Sequence, residues 1–549
     1  MDIPLYKHQL ECILKKKGLS KSLINIWCGG GKTRIIVYSI FEDGQEVNII
    51  VFPSLGLINQ FNNDYILCED FMDYFKEYNC LSVCSDSESK LKIKTDLIRY
   101  TTKESIIKSS IKKKGKKLFT VTYQSLEMFM KIIVETGTTI NRLYYDEAHH
   151  ILGHNIQNIV FKNDELNELI EKTEYYTATP DNKNGITMYD RENPENSDCG
   201  PIAYEYLFYQ AVEDKISKDF TMKLMLYPKT KEDMFINLFK SIFRECFTGE
   251  YDYWNILTFH SMVEEKDDMA TVNQLSKKEK LFKKCFLEVI EEFPEMKSIY
   301  SVDNVFLKGV GSKTKGREEI LADFDMPEIE FKKWRESRES MGKDLIYPKK
   351  RGGWFPGRIC LIASCKTLGE GIDTKYANME IPINPGGSVI YEQQKLGRIT
   401  RNPGGNQKNG IVLIPCWIDM DKYEGLDAIE RDDMIRQELH EGGNFNTFLN
   451  VMSAYKNQCD PELWELCLKY PKMYSPKEIK DNLDKQGFKI DDSKGDLIEN
   501  VNHILDKDIS DLVGENDEET IQNIVSTGKQ VEIHSQDKDL PIITYGTSA

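Results

Sequence analysis

A glycine-rich loop ending in Lys-Thr, the stretch Gly29-Gly30-Gly31-Lys32-Thr33, limits the possible folds of this 549-residue chain more than any other feature. An apolar run at 22–27 precedes it, and a helix-length apolar stretch at 34–40 follows it. In this strand, loop and helix context, glycines let several backbone N–H groups converge on an anion at the start of the helix. The sequence therefore predicts a phosphate-binding loop in an α/β domain.

The side chains of this loop are candidate ligands for a nucleotide. We expect Lys32 to reach the β- and γ-phosphate oxygens, and the Thr33 hydroxyl to contact Mg²⁺. ATP and Mg²⁺ are therefore the predicted cofactors. The candidate nucleotide-binding residues in this part of the chain are Cys28, Gly29, Gly30, Gly31, Lys32, Thr33 and Arg34.

Short apolar runs alternate with helical segments in two series. The runs lie at 47–52, 118–123 and 142–145, and then at 254–260, 304–307, 358–364, 379–383 and 410–414. Such alternation is typical of doubly wound sheets, because parallel strands need a crossover helix between them. We predict an α/β fold with two parallel-sheet domains, bridged by Asp198-Cys199-Gly200-Pro201 and the helix that follows.

The length exceeds what one hydrophobic core usually holds, so we expect two to four domains. The predicted ranges are 1–222 for the ATP-binding domain, 223–424 for a second domain with a polar insertion at 325–358, 425–490 for a helical extension, and 491–549 for an acidic, partly disordered tail. Low aromatic content and high charge are the basis for the last range.

The distribution of charge bears on the partners of the chain. The formal net charge is −17, but residues 491–549 hold 14 acidic and 4 basic side chains and account for much of it. Residues 90–117 hold 11 Lys or Arg and 2 acidic residues. A basic run is more often a solvated helix and loop than a nucleic-acid contact, and the solvated surface is the favoured interpretation here.

The cysteines and the N-terminus bear on the location of the protein. The 13 cysteines are scattered, and the pairs Cys80/Cys84 and Cys360/Cys365 have no second pair at zinc-ligand spacing. Reduced thiols are therefore expected. Met1–Lys7 lacks a signal-peptide core and no apolar run is long enough to span a bilayer, so we predict no membrane contact. We expect an intracellular, cytoplasmic protein, with the virion as the alternative location if the chain is viral.

Acidic and basic residues further along the chain complete a candidate hydrolytic site. Asp146 closes a predicted strand and is placed to hold Mg²⁺, while Glu147 would polarise the water that attacks the γ-phosphoryl group. Arg398 and Arg401 have the spacing of one helix face and could neutralise charge on the γ-phosphate oxygens. The candidate catalytic residues are Lys32, Asp146, Glu147, His149, Gln394, Arg398 and Arg401.

The order of these stretches resembles a superfamily 2 helicase of the branch with the DEAH form of motif II. The resemblance rests on the glycine loop, Asp146-Glu147-Ala148-His149, Thr177-Ala178-Thr179 and Gln394-x-x-Gly397-Arg398-x-x-Arg401, and it covers residues 5–420. It implies two tandem RecA-like domains. A weaker resemblance at 444–464 is to helicases of large cytoplasmic DNA viruses and related linear plasmids.

The resemblance also implies roles for further residues. Gln9 would read the adenine edge, Gly371 and Asp373 of the stretch 366–373 would approach the nucleotide, and Thr177 and Thr179 would couple hydrolysis to nucleic-acid binding. Contacts to the nucleic-acid backbone are implied for Pro53, Ser54, Thr122, Ser125, Thr258 and Thr367.

The predicted activity is movement along DNA or RNA, with unwinding, driven by ATP hydrolysis. A translocase that follows duplex without separating its strands is the first alternative. A nucleic-acid-binding protein with an inactive ATPase is the second. The sequence leaves DNA and RNA both open, and partners in replication or transcription are possible.

Overall fold

The computed structural model describes residues 4–44, 46–85, 95–180, 186–190, 192–228, 235–260, 271–311, 314–327, 330, 333, 357–365, 374–383, 389–403, 405, 408–418, 530–534 and 543–546. The chain divides into two compact units between Ala211 and Val212. The predicted helical extension at 425–490 lies outside the described residues, as do most of the predicted insertion and tail.

The first unit contains an eight-stranded sheet in which every pair of neighbouring strands is parallel. Its strands are β1 (Lys21–Ile26), β2 (Val47–Phe52), β3 (Tyr78–Val83), β4 (Ile98–Thr101), β5 (Lys116–Thr122), β6 (Arg142–Tyr145), β7 (Thr173–Thr177) and β8 (Ile202–Tyr206). They are ordered β4-β3-β5-β2-β6-β7-β1-β8. This order brings the carboxyl ends of β6, β7 and β1 to one edge of the sheet.

Helices connect these strands. They are α1 (Lys7–Lys15), α2 (Lys32–Asp43), α3 (Leu55–Phe61), α4 (Glu69–Phe75), α5 (Glu104–Lys112), α6 (Leu126–Thr136), α7 (His154–Phe161) and α8 (Asp164–Glu168), with α9 (Phe208–Glu213) at the boundary of the two units. Apolar residues of β2, β5, β6 and α6 form one buried core. Strands buried on both faces explain the continuous apolar runs that the sequence shows.

A buried polar cluster ties α1 to the same sheet. The Lys16 ammonium donates to the carboxylate of Glu174 at 2.5 Å, to Ser39 Oγ at 2.6 Å and to Tyr176 Oη at 2.9 Å. Lys16 and Glu174 are 3% and 1% exposed. Because a buried charge is tolerated only when it is paired, this cluster fixes α1 against α2 and β7.

The second unit contains another eight-stranded sheet, ordered β11-β12-β10-β13-β14-β9-β15-β16. Its strands are β9 (Phe220–Pro228), β10 (Tyr253–His260), β11 (Val305–Val310), β12 (Arg358–Cys365), β13 (Met379–Pro382), β14 (Gly410–Ile418), β15 (Gln530–His534) and β16 (Ile543–Gly546). Its helices are α10 (Phe235–Thr248), α11 (Val272–Ser276), α12 (Glu279–Val289), α13 (Arg317–Phe324) and α14 (Val389–Ile399). Phenylalanines of α10 and α12 pack in its core, as do Trp254 and strands β10 to β13.

The strands of this sheet are parallel from β11 to β9, whereas β15 and β16 pair antiparallel. The predicted α/β fold with two parallel-sheet domains is thus confirmed. The antiparallel pair comes from the acidic tail, for which the sequence predicts no strand.

The connection between the units contains a strand that the sequence does not predict. The turn at Asp198–Pro201 leads first into β8, which pairs with β1 in the first sheet, and the helix that follows is α9 at the boundary of the units. Gly200 has a φ of +81°, and a Cβ there would lie 2.6 Å from the Lys21 carbonyl oxygen. Glycine therefore allows this turn to pack against the start of β1. The predicted division at 222/223 falls inside β9, and the domain ranges stay a prediction.

Candidate nucleotide site

The glycine loop connects β1 to α2 at the carboxyl edge of the first sheet. Gly29 and Gly31 have φ values of +85° and +80°. A Cβ at Gly30 would lie 2.6 Å from Ile26 Cγ2, and a Cβ at Gly31 would lie 2.2 Å from Gln9 Nε2. Glycine is therefore needed at position 31 for both its backbone conformation and the space that it leaves.

Two side chains of α1 hold the outer surface of the loop. Gln9 Nε2 donates to the Gly30 carbonyl at 3.2 Å, and His8 Nε2 lies 2.8 Å from the same oxygen. The His8 ring stacks on Tyr206, with ring centroids 4.0 Å apart. Both side chains are buried. They fix the Gly30 peptide. The sequence does not predict this role of His8, because a single histidine next to Gln9 carries no recognisable pattern.

The ammonium of Lys32 meets the acidic residues that follow β6. Lys32 Nζ lies 3.2 Å from Glu147 Oε1 and 3.5 Å from the Ile26 carbonyl oxygen. Asp146 comes directly after β6, and its N–H donates to the Val51 carbonyl at 2.9 Å. The fold thus brings Lys32 to Asp146 and Glu147, which lie more than a hundred residues further along the sequence.

Burial and charge set the protonation of this cluster. Burial raises the pKa of Asp146 to about 7, and the Glu147 charge adds to that effect against the opposing Lys32. Burial also raises the pKa of Glu147, but Lys32 and His149 lower it more, so the net shift is downward. Burial lowers the pKa of Lys32, but Glu147 and Cys28 raise it more. Glu147 and Lys32 therefore form an ion pair.

The backbone of Glu147 is held in an uncommon conformation. Its φ and ψ are 47° and 55°, in the left-handed region. Residues other than glycine and asparagine rarely adopt this backbone conformation, which costs about 1–3 kcal/mol. Such strain at a predicted catalytic residue is typical of a functional constraint.

Three further candidates form a second contact group behind the acids. His149 Nδ1 lies 3.2 Å from Thr177 Oγ1 and 3.1 Å from Thr179 Oγ1. The same nitrogen lies 3.6 Å from Glu147 Oε2. Residues 177–179, at the end of β7, therefore contact residues 146–149 (the acidic segment) through His149.

The arginine candidates lie in the second unit, and one prediction about them is wrong. Arg398 lies on α14, with Gln394 one turn before it, but the helix ends at Ile399, so Arg401 does not share its face. Arg401 instead forms an isolated antiparallel bridge with Ser217. Pro403 disfavours helical conformation at the residue before it, which explains the early end.

The candidates for nucleic-acid contact differ in accessibility. Pro53 and Ser54 are partly exposed, and Ser54 Oγ accepts from Leu57 N at the start of α3. Thr122 is 4% exposed and donates to Ser125 Oγ at 3.1 Å. Thr258 is fully buried, with Oγ1 2.9 Å from His260 Nε2. In this conformation the hydroxyl groups of Thr122 and Thr258 do not face solvent.

Other predictions fall on the basic run or on undescribed positions. In the run 90–117, Lys108 pairs with Glu135 and Lys116 pairs with Glu77 across the surface. Thr367, Gly371 and Asp373 lie outside the described residues.

The residues present fit a magnesium ion held beside a nucleotide. Among the described residues, Asp146 Oδ1 is buried without a hydrogen-bond partner. Thr33 lies partly exposed at the start of α2. A desolvated carboxylate oxygen is favourable only beside a donor or a cation, and Mg²⁺ usually takes one or two protein ligands and completes its shell with water and phosphate. Within the described residues no group of three or more His, Cys, Asp or Glu could hold a metal ion.

A glycine loop at a strand-to-helix turn, with a Lys-Glu ion pair and an acidic residue after a nearby strand, is typical of a P-loop nucleotide site. Residues 2–182 match the family model of the type III restriction enzyme res subunit, which covers about a third of the chain. No curated protein matches the chain.

Among the solved structures that resemble this chain, two cover most of it. One is the ATP-dependent type ISP restriction-modification enzyme LlaBIII bound to DNA, with a TM-score of 0.57 and 16% identity over 93% of this chain and 34% of that one. The other is a nuclease-deletion mutant of the type ISP enzyme LlaGI with a DNA substrate mimic, with a TM-score of 0.51 and 18% identity over 84% of this chain and 29% of that one. This chain thus spans about a third of the length of each.

These similarities identify the fold. It is an α/β fold with parallel sheets in two tandem RecA-like domains. Within the described residues, none of the helices combines the length and the apolar character needed to cross a bilayer.

Proposed function

We propose that this chain is an ATP-dependent motor that moves along nucleic acid and unwinds it. The observation that carries the proposal is the ion pair between Lys32 and Glu147 at 3.2 Å, directly behind a glycine loop with two left-handed glycines. The two structures with the same fold are complexes with DNA or a DNA mimic, which supports nucleic acid as the partner.

The residues have distinct roles in the proposed reaction. A bound γ-phosphate would replace Glu147 as the partner of Lys32, which frees the Glu147 carboxylate to orient and polarise the attacking water. Before nucleotide binds, Lys32 and His149 lower the pKa of Glu147, so the carboxylate enters the reaction ionised. Arg398 and Arg401 would neutralise charge that develops on the phosphate oxygens.

Thr33 and Asp146 would hold Mg²⁺ in this proposal. When bound, the ion supplies positive charge that neutralises phosphate oxygens. Gln9 would contact the adenine, Gly371 and Asp373 would approach the nucleotide, and Thr177 and Thr179 would couple hydrolysis to polymer binding through His149. Backbone contacts are proposed for Pro53, Ser54, Ser125 and Thr367, and for Thr122 and Thr258 after a local rearrangement.

Three finer assignments rest on the sequence resemblance alone. They are the DEAH subtype, the similarity to viral and plasmid helicases at 444–464, and RNA as an alternative polymer. Protein partners in replication or transcription and a cytoplasmic or virion location are proposed on the same basis.

A translocase that follows duplex without separating strands is the second candidate. The family model and both structures are of restriction enzymes, and this similarity favours a motor of the restriction type over an unwinding helicase.

The test is the ATPase rate with single-stranded DNA, duplex DNA and RNA added separately at one stated salt concentration, because backbone binding is sensitive to salt. We expect stimulation by at least one polymer. A rate that no polymer changes would contradict the motor proposal. Strand displacement beside triplex displacement then separates the two candidates, since a non-unwinding translocase displaces only the third strand.

A further inference from the structure

Tyr123 contacts the acidic segment, although it is not among the predicted catalytic residues. Its hydroxyl donates to the Asp146 carbonyl oxygen at 3.1 Å. Tyr123 is 8% exposed and follows β5, in the single helical turn Tyr123–Ser125. The bond therefore joins the carboxyl end of β5 to the residue after β6.

The bonded carbonyl belongs to the peptide that connects Asp146 to Glu147. Rotation about φ of Glu147 turns this peptide relative to the Glu147 side chain. The φ of 47° is strained, so the surrounding structure must fix the peptide for the conformation to persist. On its amino side, the N–H of Asp146 is held by Val51. The Tyr123 hydroxyl holds the Asp146 carbonyl, whose orientation must stay fixed for the Glu147 conformation to persist.

The ring of Tyr123 has little freedom to move away. It stacks near Tyr145 with centroids 6.2 Å apart and lies 5.6 Å from the His150 ring. Tyr145 in turn stacks on Tyr175 of β7 at 5.3 Å, with an angle of 5° between the rings. Because close-packed interiors have few voids, a shift of the Tyr123 backbone should also displace the Tyr123 hydroxyl.

We propose that Tyr123 is a positioning residue that sets the Glu147 carboxylate and transmits polymer contact at residues 122–125 to it. The second half of this proposal rests on the proposed function, in which that turn lies beside the nucleic-acid backbone. Gln124 is exposed and Ser125 is partly exposed, so the turn that carries Tyr123 is accessible to a polymer.

The test compares Tyr123→Phe with Tyr78→Phe in the full-length chain. Tyr78 Oη also donates to a backbone carbonyl, that of Ile40, at 3.2 Å in a buried position. The control therefore removes the same kind of bond outside the acidic segment. Both variants should lose a similar amount of thermal stability.

We expect only Tyr123→Phe to lower the stimulated kcat, by about tenfold or more, because small misplacements of catalytic groups cost rate rather than binding. Its KM for ATP and its affinity for a fluorescent ATP analogue should stay within about twofold of wild type. The ratio of stimulated to basal rate should fall. An unchanged ratio, or equal rates in the two variants, would overturn the proposal.

A double variant tests whether Tyr123 acts through Glu147. In a Glu147→Gln background, Tyr123→Phe should change the residual single-turnover rate by less than about twofold, since the group that it positions is already lost. A further tenfold loss would show that Tyr123 acts elsewhere. If no polymer stimulates the wild type, the proposed function fails, and the basal rates of the two Tyr→Phe variants still test the positioning of Glu147.

Discussion

Two regions of the molecule are fixed in different ways. One is the edge of the first sheet that carries the glycine loop, Asp146 and Glu147 (the nucleotide edge), and the other is residues 398–401 of the second unit (the arginine segment). At the nucleotide edge, side chains hold one another: Lys32 pairs with Glu147, and His149 contacts two threonines. In the second unit, the backbone holds the arginine segment. The N–H of Lys218 donates to the Thr400 carbonyl at 2.7 Å, and Ser217 bridges Arg401.

This difference indicates how each region responds to substitution. A site held by side chains should lose function when one contact is removed, while its fold persists. A segment held by its backbone should depend on the strand-like residues that anchor it. The arginine segment is anchored by residues 215–218, which lie just after the boundary between the units.

The largest effects are expected at the nucleotide edge, where two substitutions distinguish loss of ATP binding from loss of the chemical step. Lys32→Ala and Glu147→Gln should each lower kcat by about 10²–10³-fold or more, because Lys32 neutralises charge on the reacting phosphate and Glu147 polarises the attacking water. Lys32→Ala should also weaken ATP binding, whereas Glu147→Gln should leave it largely intact. ATPase assays and equilibrium binding of an ATP analogue measure both. Near-normal rates in both variants would contradict the site assignment.

A similar comparison tests the arginine segment. Arg398→Ala and Arg401→Ala should lower kcat by about 10²-fold with little change in melting temperature, if their guanidinium groups act on the phosphate. Arg244→Ala is the matched control, because Arg244 forms a surface pair with Glu292 in the same unit. Activity of the two variants equal to that of the control would remove the arginines from the mechanism.

Glycine substitutions separate backbone strain from lack of space. Gly31→Ala combines a φ of +80° with a 2.2 Å contact to Gln9 Nε2, whereas Gly137→Ala has a φ of +58° and no atom within 4 Å. Strain alone should cost each variant about 1 kcal/mol of unfolding free energy. Gly31→Ala should lose more and should raise KM for ATP, as measured by denaturant unfolding and steady-state kinetics. Equal losses in both variants would mean that Gln9 moves freely.

The smallest effect on catalysis is expected for Lys218, the lysine that anchors the arginine segment, because its protonation bears on stability. Burial lowers the pKa of Lys218 to about 7, and Nζ lies 3.1 Å from the Ala377 carbonyl oxygen. An unfolded lysine keeps its proton up to about pH 10.4, so between pH 7 and 10 the unfolded state binds more protons than the folded state. Stability should therefore rise with pH across this window, by at most about 1.4 kcal/mol per pH unit.

Lys218→Met should flatten that rise, while the exposed Lys280→Met should leave it unchanged. Denaturant unfolding at pH 7, 8 and 9 gives the slopes. A slope in Lys218→Met identical to that of the wild type would show that the ammonium stays charged in the folded protein.

The sequence predicted the parts of the structure in which local pattern and fold agree. The predicted apolar runs match strands of both sheets. It failed where the pattern is ambiguous. The alternating aromatic residues of β8 follow a Cys-Gly-Pro turn that reads equally well as a linker, and only the packing of Gly200 against Lys21 assigns it to the first sheet.

The same distinction applies to the candidate site. Residues in recognisable stretches, such as Lys32, Asp146 and His149, could be identified because their chemistry requires particular types at particular spacings. His8 and Tyr123 could not be found, because their roles depend on contacts across 22 and 23 residues that no local pattern encodes. Pro403 is a local signal for the end of α14, but the bridge of Arg401 to Ser217 joins positions that are still more remote in sequence.

The buried pair between Lys16 and Glu174 constrains the order of events during synthesis. The two residues are separated by 158 positions, so the nascent chain must expose nearly the whole first sheet before the ammonium finds its carboxylate. Until then, burying Lys16 is unfavourable, and α1 cannot dock with Gln9 and His8 against the glycine loop. The ATP-binding loop of a growing chain should therefore acquire its final shape only after β7 has left the ribosome.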